Sequence, residues 1–114
     1  MADDVVYIDF ADGVKRVMNN TKLYVKLLSK FKTDTKLDAL ETAIAAGDME
    51  KARNAAHTLK GLSANLSLTE LNKQSLALET QIKAGAADPA QLNTVKTAFA
   101  RTLQEIDKVI SENG

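Results

Sequence analysis

The stretch Met49-Glu50-Lys51-Ala52-Arg53-Asn54-Ala55-Ala56-His57-Thr58-Leu59-Lys60-Gly61-Leu62-Ser63-Ala64-Asn65-Leu66 reads as one helix. It holds no proline, and helix punctuation precedes it: Gly47 suits a left-handed residue past one helix end, and Asp48 can cap the next start. At about 100° per residue, Ala52, Ala55, Leu59, Leu62 and Leu66 fall in one sector, the side expected to be buried. His57 lies opposite. Arg53, Lys60, Gly61 and Ala64 share its outer face at the spacings where helical side chains are neighbours.

A helix with one apolar sector needs other helices to cover it, and the flanking sequence supplies them. Downstream, Ser67 and Glu70 read as a capping box that starts a helix near Leu68, with Leu71, Leu78 and Ile82 inward and Gly85 beyond its end. Asp88-Pro89-Ala90-Gln91 then reads as an N-cap, a first-turn proline and a second capping box. The stripe Leu92, Val95, Phe99, Leu103, Ile106 and Ile110 makes the last helix long. Upstream, Leu37, Leu40 and Ile44 stripe a helix from Asp34 to Ala46. Leu23, Leu27, Tyr24, Leu28 and Phe31 stripe another from about Asn20 to Lys32. Asp9 and Asp12 open a short one reaching about Met18, against which Gly13 counts. Short connections between the last four helices imply antiparallel neighbours. The expected fold is therefore all-α: an antiparallel up-down-up-down four-helix bundle, about 34–112, with one or two additional N-terminal helices covering it, about 9–32, in a single domain spanning 1–114.

Composition narrows the function. The 114 residues are 45% hydrophobic but only 4% aromatic, without tryptophan, which suits a core of packed aliphatic helices. Fifteen Lys and Arg balance fifteen Asp and Glu, so no basic footprint for nucleic acid stands out. With no cysteine and one histidine, no thiolate or zinc site is expected, and the predicted metal set is none. Met1-Ala2-Asp3-Asp4 lacks the features of a secretory signal, and no apolar run reaches membrane-spanning length. A cytoplasmic monomer that meets neither membrane nor nucleic acid is the expectation.

The outer face of the central helix carries the chemistry. An exposed imidazole populates its neutral form at pH 7 and offers a ring lone pair to an activated phosphorus. Lys60 can bring an ammonium to a phosphoryl oxygen. Gly61 inside a helix costs about 1 kcal/mol relative to alanine, and clearance for an approaching partner would offset it, with Ala64 extending the same shelf. No P-loop, Gly-rich nucleotide loop or metal-binding carboxylate cluster is visible, so the chain has no means of making its own phosphoryl donor.

Ala56-His57-Thr58-Leu59-Lys60-Gly61-Leu62-Ser63-Ala64-Asn65-Leu66, with Leu71 and then Leu78-Glu79, closely resembles the histidine phosphotransfer (HPt) family. Asp9-Phe10, Leu23-Tyr24 with Leu27-Leu28 and Phe31, and Ala45-Ala46-Gly47-Asp48 extend the likeness over most of the chain. The resemblance implies that His57 takes a phosphoryl group from the aspartyl phosphate of one response-regulator receiver domain and passes it to another. Lys60 would stabilise that group, and Arg53, Gly61 and Ala64 would meet the partner. The protein would then be a phosphocarrier with no nucleotide-dependent kinase activity and no cofactor of its own, Mg²⁺ coming from the receiver. A hybrid sensor histidine kinase is a further partner the likeness suggests. The alternative is a helical docking module that binds a receiver or kinase without transfer. One departure stands out: many members have glycine where this chain has Ser67. Serine as an N-cap would account for it locally.

Overall fold

Six helices make up the computed structural model, which describes residues 5–34 and 36–113. They are α1 (Phe10–Arg16), α2 (Thr21–Phe31), α3 (Lys36–Ala45), α4 (Met49–Asn65), α5 (Thr69–Lys83) and α6 (Pro89–Asn113). The described residues contain no strand, so the chain is all-α as its periodicities predict. Residues 1–4, read above for a targeting signal, lie outside the described part. No described helix is long and apolar enough to cross a membrane.

Local chemistry sets most of the helix starts. Asp9, Asn20 and Asp48 each accept a bond from the backbone N–H three residues on, satisfying a donor the first turn leaves unpaired. Gly47 closes α3 with a φ of 72°. Helix α1 stops at Arg16, short of Met18, because Met18 and Asn19 both adopt positive φ, 57° and 62°, and turn the chain into α2.

Neither predicted capping box forms. Ser67 is buried at a φ of 57°, and its hydroxyl donates to Asp12 Oδ2 at 2.6 Å. Helix α5 therefore begins at Thr69 without a side-chain cap. Glycine, which the resemblance leads one to expect at this position, would adopt this left-handed backbone without a Cβ penalty. Here the strained serine is compensated by its bond to Asp12, whose carboxyl that hydroxyl, and then Arg16, hold below the usual carboxylate range. Asp88 does cap α6 through the Ala90 N–H. Gln91, however, turns to the backbone and side-chain oxygens of Gln74, each at 3.0 Å, while Gln81 accepts the Asp88 N–H. Those bonds satisfy the Asp88 N–H and also tie α6 to α5.

Consecutive helices pack together, α3 on α4, α4 on α5 and α5 on α6, while α2 lies on α6 and α1 on α2. Both α2 and α3 face the last helix: the Phe31 ring lies tilted against Phe99 at a centroid distance of 5.5 Å, Lys32 pairs with Asp107 and Lys96 with Glu41. On α2 the buried edge is Tyr24, Leu28 and Phe31, whereas Leu23, expected in the stripe, is exposed. The buried line of α4 is Ala52, Ala56, Leu59 and Ser63, and the predicted Ala55, Leu62 and Leu66 are only half-buried. Because α3 and α5 flank α4 on two sides, the burial axis rotates toward Ser63. That hydroxyl is satisfied by the carbonyls of Leu59 and Lys60.

The N-terminal segment is pinned to the α4–α5 turn. Asp9 N–H donates to the Ser67 carbonyl at 2.9 Å, the Thr69 hydroxyl donates to the Val6 carbonyl, and the buried Tyr24 hydroxyl donates to the Leu66 carbonyl at 2.5 Å. Burial first, then Asp9 and Asp12, push the Tyr24 phenol up to about 12, which keeps it a donor. Gly13, counted against α1 above, is what lets the Tyr24 ring approach: a Cβ there would lie 2.1 Å from Tyr24 Cζ.

Candidate functional site around His57

Helix α4 holds His57 outward, its side chain 67% exposed, on the side away from the Ala52–Leu59 core line. The turn at Ser67 then folds α5 back along α4. His57 lies ten residues before Ser67 and Glu79 twelve after it. A rise of about 1.5 Å per residue brings the two to similar heights on adjacent helices.

Glu79 is the centre of the site. Its carboxylate is 2% exposed, with Oε2 at 2.9 Å from His57 Nδ1 and 3.8 Å from Lys83 Nζ, and Oε1 at 2.8 Å from Lys60 Nζ. Desolvation alone would raise this carboxyl. The contacts with Lys60 and His57, and the charges of Lys60 and Lys83, outweigh it and hold Glu79 below the ordinary carboxylate range. Glu79 is therefore ionised at neutral pH. An ionised carboxylate can only accept, so Nδ1 carries the proton and donates it to Oε2. In the neutral ring the lone pair then belongs to Nε2.

The remaining predicted residues fall where the helical spacing puts them. Arg53 and Ala64 are exposed, and Gly61 is half-buried. A Cβ built on Gly61 meets nothing within 4 Å, so the glycine leaves open space rather than serving a helix crossing. Gly61→Ala is accordingly expected to stabilise the fold by about 0.5–1 kcal/mol, the helix-propensity difference, in chemical denaturation. A loss of stability would mean the shelf is packed. Lys60, read above as reaching a phosphoryl group, is 27% exposed and places its ammonium 2.8 Å from Glu79 Oε1.

Glu79 and Lys83 were not among the predicted site residues. The available signal was a glutamate set within the apolar stripe of α5, between Leu78 and Ile82. Arg53, Asn54, His57, Glu79 and Lys83 line a shallow cavity of about 270 Å³. A larger groove of about 670 Å³ between α1, α2 and α4 contains neither the histidine nor Glu79, so the reactive groups converge only at the shallow one. Among the described residues no three acidic or histidine side chains are grouped to hold a metal ion.

In comparison with known proteins, a family model described as Hpt domain matches residues 27–109. No curated protein and no solved structure matches the chain.

Proposed function

Because the chain belongs to the Hpt domain family, we propose that it is a phosphorelay carrier in which His57 Nε2 takes the phosphoryl group of one receiver aspartate and delivers it to another. The observation that carries this reading is the Glu79 contact at Nδ1, which orients the ring and assigns the lone pair to the exposed nitrogen. Nε2 attacks phosphorus, the bond from phosphorus to the aspartyl oxygen breaks, and the carboxylate leaves with its electron pair. Nδ1 keeps its proton, so the phosphorylated ring is cationic and Glu79 balances it. In the onward step a second aspartate attacks phosphorus and the N–P electron pair returns to Nε2. Mg²⁺ and the acidic residues belong to the receiver. Arg53, Gly61 and Ala64 face that partner, and Lys60 adds positive charge behind the ring. We also propose that α3 to α6 alternate in direction as an up-down-up-down bundle, which their consecutive packing supports.

Incubation with a phosphorylated receiver and Mg²⁺ is expected to place acid-labile, base-stable phosphate on His57. Labelling of His57→Gln to the wild-type level would falsify the reading. A receiver that binds tightly yet never yields phosphohistidine would make the chain a docking module instead. Gly61→Arg is expected to fold normally, given the open space at its Cβ, and to slow transfer.

A further inference from the structure

We propose that Lys83 and Arg53 are the side chains that touch the phosphoryl group on His57, and that Lys60 is a positioning residue acting through Glu79. The proposal rests on His57 being the phosphoryl acceptor. It adds Lys83 to the site and gives the two lysines separate tasks.

The division follows from how the Glu79 carboxylate is shared. Lys60 lies 2.8 Å from Oε1 with a side chain only 27% exposed, whereas Lys83 lies 3.8 Å from Oε2 and is 58% exposed. Moving Lys60 outward would strip a buried carboxylate of its closest cation, a costly change where water cannot replace it. Moving Lys83 gives up a contact already beyond hydrogen-bond range at an exposed position, where ion pairs contribute little. Lys83 is the cation free to move.

Position agrees with mobility. Lys83 and Arg53 line the cavity that contains His57, and Lys60 does not. Arg53 sits one turn before His57 on α4, is exposed, and has no ion-pair partner among the described residues. The charged groups around the ring are Arg53 and Lys60 from α4 and Glu79 and Lys83 from α5. One carboxylate thus faces three cations. A phosphoryl group carries about −1.5 to −2 at pH 7, and Lys83 and Arg53 are the two cations left to meet it once Lys60 and the cationic ring share Glu79.

Phosphoramidate tests this without a receiver surface: Nε2 attacks its phosphorus, the P–N bond breaks and ammonia leaves. The phosphorylated protein is then titrated by ³¹P NMR. The Arg53→Gln/Lys83→Gln double variant is expected to raise the phosphoryl titration midpoint by about half a pH unit or more, because lost cations disfavour the dianion. Lys83→Arg with Arg53 intact should titrate as wild type. Lys60→Gln should move the phosphoryl midpoint less than the double variant and instead alter the ring's Nδ1 signal in ¹⁵N spectra. A cooperative melting transition by circular dichroism shows that each variant is folded. A double variant that titrates like wild type, or a larger phosphoryl shift in Lys60→Gln, overturns the proposal. Normal titration with no receiver-driven labelling would instead overturn the relay reading alone.

Discussion

Glu79→Gln is expected to slow phosphoryl transfer roughly 10- to 100-fold while leaving the helices folded, less than the loss of about 10⁴ when a buried triad carboxylate is neutralised, because the His57 side chain is 67% exposed. The glutamine keeps the shape but loses the charge that balances the phosphorylated ring. Its amide can also donate to Nδ1, which would put the ring proton on Nε2 and remove the nucleophilic lone pair. Single-turnover transfer from a phosphorylated receiver measures the effect, and a wild-type rate would show that the His57 contact is incidental. Glu79→Ala should in addition cost stability of about 2 kcal/mol, less than a fully buried pair because Lys83 and His57 reach water. The pH dependence has a defined sign. The carboxyl is held below its ordinary value of 4.5, so its stabilising contribution is complete above that value and is lost as pH falls through the depressed one. Acid unfolding of wild type and of Glu79→Gln should therefore differ in steepness below about pH 4.5, the variant being the shallower.

Gly13→Ala is expected to destabilise the fold by about 2 kcal/mol, although helix propensity alone would predict a gain of about 1. The added methyl would lie 2.1 Å from Cζ and 2.4 Å from Cε1 and the hydroxyl of Tyr24. The ring has little room to retreat. Its hydroxyl is tied to the Leu66 carbonyl, and its ring packs edge-to-face with Phe10 at a centroid distance of 5.6 Å. Denaturant unfolding of the single variant and of Gly13→Ala/Tyr24→Leu should show strong non-additivity, the second change relieving the first. A Gly13→Ala protein more stable than wild type would sink the close-approach account.

These two residues mark the boundary of what one sequence discloses. Gly13 was legible as a weakness in α1 but not as a necessity, because its reason is a tyrosine eleven residues away on another helix. Glu79 was legible as part of a family pattern but not as the partner of His57, twenty-two residues earlier. By itself the sequence determined the helices, their Asp9 and Asp48 caps, the left-handed Gly47, and the outward face shared by His57, Arg53, Lys60, Gly61 and Ala64. These features depend on contacts within four residues along the chain, so periodicity and residue type suffice to read them. Only the tertiary structure decided that Ser67 turns left-handed toward Asp12, that Gln91 bonds Gln74, and that burial on α4 runs through Ser63. It also decided that Glu79 takes the proton side of the histidine and draws Lys60 away from the surface. Each of those outcomes is a competition between a local partner and one brought in from another helix. The distant partner wins where packing has already excluded water, since a buried polar group must be satisfied by whichever side chain is there.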